Sequence, residues 1–271
     1  MTDFIHLTNK TEYSLSEGAL PISRIAELCQ TFEMPAVGIS DSNNMFGALE
    51  FSTQISKAGV QPIIGCNIRI KTPSEFIHES IKDPFFYMNL YSKSNVGYQN
   101  LLKLISTSYM NNKKDAYIEI NDLISFKDGI IVLTGGNNSI FKQCKNKIIT
   151  NQANIFIKLL KENFNDDLYM EIQRLGKNHE ILDEYCLLSM AYDNHLPLVA
   201  TNDVFFESPE YYEAHDALAC IEKKLYVSQS NRSKLSDQHY FKSPDEMKEL
   251  FNDLPEAVYN TIEIAEKCSF K

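Results

Sequence analysis

The sequence predicts an α/β fold in which a parallel sheet is flanked by helices and is either open or closed into a barrel. Short apolar segments typical of buried strands alternate with amphipathic helical segments about seven times over. The chain has 271 residues, which fits one large domain or two small ones, and 44% of them are hydrophobic, enough for a sizeable core. In a barrel of this kind, functional groups collect where the strands end.

The predicted strands are short runs of apolar and β-branched residues, several of them of the fully buried type. In chain order they are residues 4–7, 36–39, 62–70, 85–91, 129–134, 168–172 and 198–200. Gly135 and Gly136 follow the fifth run, but no phosphate-binding glycine pattern surrounds them. This pair therefore indicates a turn.

The predicted helices have apolar residues three and four positions apart. The first, residues 21–32, has Pro21 in its first turn and Ile22, Ile25 and Cys29 on one face. The others are residues 46–58, 98–109, 153–163, 179–194, 210–223, 244–251 and 255–268. The alternation ends after residue 202, and residues 224–242 are polar and irregular.

Composition narrows the possible functions. The chain has 26 Lys and Arg against 36 Asp and Glu, a formal charge of −10, which argues against DNA binding by this chain alone. No apolar run approaches the ~20 residues that cross a bilayer, and the first residues lack a secretory pattern, so we expect a cytoplasmic protein without membrane contact. The six cysteines lie too far apart for a zinc ribbon and are expected to be reduced and mostly buried.

Six segments lie at the ends of the predicted strands or, for residues 65–68 and 87–90, within them. They read H-L-T-N-K-T-E-Y-S at 6–14, I-S-D-S-N-N at 39–44, G-C-N-I at 65–68, Y-M-N-L at 87–90, E-I-Q-R-L-G at 171–176 and A-T-N-D-V-F at 200–205. In this order the segments resemble the motifs of the polymerase and histidinol phosphatase (PHP) domain at the N-terminus of the bacterial DNA polymerase III alpha subunit. The resemblance covers nearly the whole chain.

The resemblance implies a distorted (β/α)7 TIM-like barrel, the PHP fold, with extra C-terminal helices. It implies a single PHP domain over residues 1–271, with a barrel core over 1–206 and a peripheral helical segment over 207–271. It also implies that the domain belongs to a longer chain, a DNA-directed DNA polymerase (a nucleotidyltransferase) that extends primers and uses Mg²⁺ elsewhere. The implied partners are the rest of that chain, the proofreading exonuclease subunit and the replisome.

The metal-binding members of the family carry histidines or a glutamate at several of these positions. Here those positions are occupied by Thr8, Lys10, Ser42, Asn67, Tyr87, Leu175 and Phe205, and only Asp41 and Asp203 keep ligand-type side chains. A two- or three-metal site needs several imidazoles and carboxylates to replace the water shells of the ions. We therefore expect a degenerate site with no metal and no catalytic residue, in which Lys10 pairs with Asp41, Asp203 or both.

Three hypotheses for function follow. The first is a non-catalytic structural module that docks the exonuclease subunit, with little direct DNA binding. The second is an active metal-dependent phosphoesterase or intrinsic 3′–5′ exonuclease, which stoichiometric bound metal would favour. The third is a free-standing hydrolase unrelated to replication.

Overall fold

One curled six-stranded sheet forms the centre of the molecule, with the strand order β1-β2-β3-β4-β5-β6. The computed structural model describes residues 4–74, 84–111, 115–136, 139–143, 147–176, 180–229 and 231–270. The strands are β1 (Ala36–Ile39), β2 (Gln61–Lys71), β3 (Phe85–Ser92), β4 (Ile130–Leu133), β5 (Leu168–Gln173) and β6 (Leu198–Thr201). Together with its helices, the sheet confirms the predicted α/β class.

Strand β3 departs from the predicted all-parallel sheet. The pairs β1-β2, β4-β5 and β5-β6 are parallel, but β3 runs antiparallel to both β2 and β4. The prediction of a wholly parallel sheet is therefore wrong at this strand. The sequence offers no helical segment between β2 and β3, and antiparallel neighbours need no crossover helix.

The helices surround the sheet, and those predicted from the sequence are present with ends shifted by a few residues. They are α1 (Ile22–Thr31), α2 (Ala48–Lys57), α3 (Asn95–Asn111), α4 (Ile120–Ser125), α5 (Lys147–Phe164), α6 (Glu180–Asp193), α7 (Tyr212–Lys223), α8 (Pro244–Leu250) and α9 (Pro255–Lys267). The start of the predicted helix 179–194, His179, lies outside the described residues. Helix α4 was not predicted because it is only six residues long, and a capping box between Glu119 and Asp122 begins it.

The N-terminal segment, predicted as the first strand, has extended backbone without a regular ladder. On one side Gly38 N donates to the carbonyl of His6 at 2.7 Å. On the other, Val204 N donates to the carbonyl of Thr8 at 2.9 Å, and Lys10 N donates to the carbonyl of Val204 at 2.8 Å. The segment therefore lies between β1 and the residues that follow β6, the two edges of the sheet.

Two glycines permit close approach on the enclosed face of the sheet. A Cβ at Gly38 would lie 2.3 Å from the carbonyl oxygen of Leu7, and a Cβ at Gly65 would lie 2.4 Å from Cδ1 of Tyr91. Neither distance is compatible with a side chain, so these positions require glycine. Gly38 lets the N-terminal segment lie against β1, and Gly65 leaves room for the Tyr91 ring.

Two hydrophobic layers form on the two faces of the sheet. The larger packs helices against the outer face, while an inner cluster fills the enclosed face. The inner cluster consists of Ile5, Leu7, Ala36, Ile63, Tyr91, Ile131, Leu133, Tyr169, Val199, Ile264, Ala265 and Cys268. Every strand contributes to it, and α9 supplies Ile264 and Ala265. This helix, part of the segment expected to be peripheral, thus contacts both clusters, because Ala257 and Val258 near its start belong to the larger one.

Candidate functional site

Glu171 lies on β5, two residues beyond Tyr169 of the inner cluster, and is fully buried. Its carboxylate accepts hydrogen bonds from Asn89 Nδ2 at 3.0 Å, from the amide of Gly135 at 3.0 Å and from Thr201 Oγ1 at 2.6 Å. Burial raises the pKa of Glu171 to about 7, and the hydrogen bonds from Thr201 and Asn89 oppose this rise. One carboxylate thus joins donors from β3, β6 and the turn after β4.

Asn67 extends this network to β2. Its Nδ2 donates to Oδ1 of Asn89 at 2.8 Å, while Gln173 Nε2 donates to Glu171 Oε1 and to Thr201 Oγ1, both at 3.1 Å. We call Asn67, Asn89, Glu171, Gln173 and Thr201 the polar layer. An amide at position 67 can donate a hydrogen bond to Asn89, which an ionised carboxylate cannot do.

Asp41, just after β1, is the centre of a second buried cluster. It accepts hydrogen bonds from Thr11 N at 2.7 Å, from Thr11 Oγ1 at 2.8 Å and from Ser14 Oγ at 2.6 Å. Burial raises the pKa of Asp41, and the hydrogen bonds from Ser14 and Thr11 and the charge of Lys10 oppose this rise. The carboxylate therefore ties the loop after the N-terminal segment to the end of β1.

Lys10 is buried beside this cluster, with only 3% of its surface exposed. Its Nζ donates to the carbonyl of Ser40 at 2.6 Å. In the described part of the chain, no ion pair within 4.0 Å joins Lys10 to Asp41, because Thr11 and Ser14 occupy the carboxylate. The direct contact expected between Lys10 and Asp41 is thus wrong, although the ammonium acts on Asp41 through space. Its pairing with Asp203 stays a prediction.

Thr8, Ser42 and Asp203 contribute local hydrogen bonds. Thr8 Oγ1 accepts from the amide of Asp203 at 3.1 Å, and the carbonyl of Asp203 accepts from Nδ1 of His239 at 2.9 Å. Asp203 has a left-handed backbone, with φ at 51°. Ser42 Oγ donates to Oε2 of Glu17. Hydroxyl groups at positions 8 and 42 therefore hold neighbouring loops in place.

The three bulky replacements occupy different environments. Leu175 is fully buried, whereas Tyr87 and Phe205 are half-buried. The ring of Phe205 meets the rings of His215 and His239 edge-on, with centroids 5.7 Å and 5.3 Å away. Leu175 and Phe205 carry no atom that can bind a metal ion, and Phe205 packs as an ordinary aromatic side chain.

A covering segment, residues 236–242, lies against the strand ends. Ser236 Oγ donates to the carbonyl of Leu175 at 2.6 Å, and Asn202 Nδ2 donates to the carbonyl of Tyr240 at 2.6 Å. The sequence indicated only polar, irregular chain here. These hydrogen bonds fix the segment over the residues that follow β5 and β6.

The structure brings some of the expected site residues together and separates others. Asn67 belongs to the polar layer, Lys10 and Ser42 lie near Asp41, and Thr8 contacts Asp203. Among the residues that the structure describes, no three His, Cys, Asp or Glu side chains are arranged as ligands of one metal ion. The donor set present therefore does not fit the metal cluster of the metal-binding relatives.

Glu171, Asn89 and Thr201 were missed as site residues. The signal for Glu171 was available, because it is the one charged residue in a strand, L-Y-M-E-I-Q, whose six residues are all buried. A carboxylate in such a strand needs several donors. Asn89 and Thr201 gave no comparable signal, since amides and hydroxyls are common near strand ends.

Comparison with known proteins agrees with the resemblance seen in the motifs. The family model of the PHP domain matches residues 6–175. The DNA polymerase III subunit alpha of Caulobacter vibrioides is 38% identical over 98% of this chain, and that of Rickettsia felis is 36% identical over 99%. The chain spans 23% and 22% of the length of these two relatives.

Solved structures give weaker similarity. A two-domain protein of Bacteroides vulgatus, described as containing a predicted PHP-like metal-dependent phosphoesterase, is 10% identical with a TM-score of 0.44, over 95% of this chain and 62% of that one. An amidohydrolase of Chromobacterium violaceum is 9% identical with a TM-score of 0.47, over 74% of this chain and 87% of that one.

Over the described residues, no helix is long and apolar enough to cross a membrane.

Proposed function

Because the chain belongs to the PHP domain family, we propose that it is a metal-free, non-catalytic structural module of a DNA polymerase III alpha chain and a docking site for the proofreading exonuclease subunit. The polymerase assignment rests on similarity to alpha subunits over nearly the whole chain. The non-catalytic role rests on the residues at the strand ends.

One observation supports the non-catalytic role. At the positions where metal-binding members of the family have ligands, the side chains of this chain form hydrogen bonds within the protein. Asp41 is occupied by Thr11 and Ser14, and Asn67 is bonded to Asn89. The ammonium of Lys10 lies where it repels a cation. A metal cluster here would have to break these bonds and overcome that repulsion.

The whole protein would be a DNA-directed DNA polymerase that extends primers, with its Mg²⁺ held outside this domain. Relatives more than four times as long are consistent with this role, since the chain spans 23% of the Caulobacter subunit. The partners would be the rest of the alpha chain, the exonuclease and the replisome, in the cytoplasm. The charge of −10 favours protein partners over direct DNA contact.

We also propose how the curled sheet is closed by the N-terminal segment. The N-terminal segment accepts a hydrogen bond from β1 through the His6 carbonyl and exchanges hydrogen bonds with Val204 beyond β6. We infer that it acts as a seventh strand and closes a distorted (β/α)7 barrel. The inner cluster supports this inference, because Ile5 and Leu7 pack there beside residues from all six strands.

Metal analysis and activity assays test the non-catalytic role. Protein purified without chelator would be analysed for Zn, Mn and Fe, then assayed on a chromogenic phosphate ester and on labelled single-stranded DNA with added Mn²⁺ or Zn²⁺. We expect no stoichiometric metal and no turnover above buffer. The matched control is Asp41→Asn, and turnover that this substitution abolishes would establish the phosphoesterase or exonuclease alternative instead.

A further inference from the structure

An open groove of about 710 Å³ lies on the outer face of the sheet, between α2 and α3. Its floor consists of Val60, Pro62 and Ile64, which are two residues apart along the chain and therefore face the same side of the sheet. We call this feature the α2–α3 groove. Its walls are formed by Leu49, Ser52 and Ser56 of α2 and by Asn95 and Tyr98 of α3.

The α2–α3 groove follows from the antiparallel pairing of β2 and β3. Parallel neighbours are joined by a crossover that is usually a helix packed on the sheet, whereas an antiparallel pair needs no such helix. Helix α2 packs against β2, and α3 packs against β3. The outer face of the sheet is therefore open between these two helices.

The lining of the groove is suited to apolar side chains. Of the described residues that line it, none is charged, although 23% of the residues in the whole chain are. Leu49 on the wall is 80% exposed, and Pro62 and Tyr98 are half-buried. The centre of a protein interface is depleted of charged residues, whereas a nucleic-acid site needs cations against the phosphates. The lining therefore favours a polypeptide as the occupant.

The last described residues, Ser269 and Phe270, also line the groove. Two contacts fix their position. Gln61 Nε2, at the start of β2, donates to the carbonyl of Ala265 at 2.7 Å, and Cys268 is buried in the inner cluster. The fold thus brings the polypeptide that leaves α9 directly to the apolar floor.

The length of the relatives indicates which polypeptide is available there. This chain spans 23% of the length of the Caulobacter subunit, and the motif resemblance places the domain at the N-terminus of such a subunit. The segment that follows residue 271 would be tethered beside the groove. Tethering gives it a high effective concentration at this site, so its docking needs little intrinsic affinity.

We propose that the α2–α3 groove is filled by apolar side chains of the alpha-chain segment that follows residue 271. The inference rests on the proposed function, which makes this chain a module of an alpha chain. It adds where the next part of that chain is held and the chemistry of the contact, an uncharged apolar one.

Hydroxyl-radical footprinting of this chain and of the full-length alpha chain from the same organism tests the contact. Leu49 should be oxidised at least about fivefold more slowly in the full-length chain, because side chains at the centre of an interface are removed from water. Ile155, which is 60% exposed on α5, is the control and should be oxidised at the same rate in both. Equal rates at Leu49 would overturn the inference. Protection of Leu49 in this chain that increases with its concentration would indicate a second copy in the groove and would also overturn it.

Two substitutions, Leu49→Glu and Ser56→Glu, each place a carboxylate on the groove wall. Both positions are exposed here, so neither substitution should lower the melting temperature of this chain. In the full-length chain each should increase proteolytic cleavage after residue 271 by roughly tenfold, because a carboxylate buried against apolar groups favours the undocked segment.

The matched control for these variants is Ile155→Glu, which should leave cleavage unchanged in the full-length chain. Cleavage after residue 271 that the groove substitutions do not change would overturn the inference. Destabilisation of both chains to the same extent would also overturn it, because the two residues would then be needed within this domain itself.

Primer extension by the full-length chain separates the inference from the proposed function. Extension by a chain in which Leu49 stays unprotected would overturn the groove contact and leave the proposed function intact. Absence of extension would overturn the polymerase assignment and, with it, the inference that depends on it.

Discussion

The inner cluster and the polar layer lie on the same enclosed face of the sheet, only two residues apart along β5. Apolar packing forms the first, whereas hydrogen bonds between buried polar groups form the second. Tyr169 in the cluster packs among aliphatic side chains, while Glu171 in the polar layer is surrounded by hydrogen-bond donors. Both residues lie in a strand that is buried throughout. The period of two along a strand therefore sets which face of the sheet a side chain occupies, and its position along the strand decides whether its neighbours are apolar or polar.

The difference also separates two sources of stability. The inner cluster gains free energy by removing apolar surface from water, in proportion to the area buried. The polar layer pays a desolvation cost that its hydrogen bonds only partly offset, as the raised pKa of Glu171 indicates. Substitutions in the two regions should therefore change the free energy of unfolding by different amounts and with a different dependence on pH.

The largest effect is expected in the inner cluster. Leu133→Ala removes a fully buried side chain from β4 and should lower the free energy of unfolding by about 2–5 kcal/mol, with no dependence on pH. Urea unfolding at two pH values measures it. Ile155→Ala, on the exposed side of α5, is the control and should change stability by less than ~0.5 kcal/mol. Equal losses at the two sites would mean that the enclosed face is not a packed core.

A smaller and pH-dependent effect is expected at Glu171. The folded-state pKa is raised from 4.5 to about 7, so the folded chain binds this proton more tightly than the unfolded chain. The stability contributed by this group is therefore full below about pH 4.5 and falls as the pH rises towards 7. The total fall is at most roughly 3–4 kcal/mol, since a tenfold change in proton affinity corresponds to about 1.4 kcal/mol.

Glu171→Gln removes the titrating carboxyl group and tests whether stability falls as the pH rises. We expect the stability of the original chain, relative to this variant, to decrease between pH 5 and pH 8 in urea unfolding. The matched control is Glu249→Gln, which replaces an exposed carboxylate on α8. The difference in free energy of unfolding between this variant and the original chain should be the same at pH 5 and at pH 8. A relative stability that rises with pH would show that the donors from Asn89 and Thr201 outweigh burial.

Much of the fold could be predicted because its elements have strong local signals. The four residues of β1 and of β4 are wholly apolar and buried, and α9 begins at Pro255 as its sequence indicates. The apolar run of β3 carries no information on the direction of its strand, and the one available signal was the lack of a helical segment between β2 and β3. The contact of α9 with the inner cluster could not be predicted either, since amphipathic periodicity does not say which surface the apolar face of a helix meets.

Less of the candidate site could be predicted. Motif order located Asp41, Asn67 and Asp203, but hydrogen-bond partners depend on side-chain geometry that no motif specifies. Lys10 illustrates this point: charge alone favoured a carboxylate partner, whereas the fold places a backbone carbonyl 2.6 Å from its Nζ. Glu171 shows the reverse case, because its unusual position in an apolar strand could have identified it.

The smallest effect is expected for the coupling between Lys10 and Asp41. Their charges interact through space, since the ammonium donates to Ser40 and the carboxylate accepts from Thr11 and Ser14. A double-mutant cycle of Lys10→Met and Asp41→Asn in urea unfolding should give a coupling of roughly 0.5–1 kcal/mol, below the value for a direct buried pair. The control cycle, Lys10→Met with Glu249→Gln, should be additive. A coupling above ~2 kcal/mol would indicate direct contact, and strict additivity would show that Lys10 gives Asp41 no compensating charge.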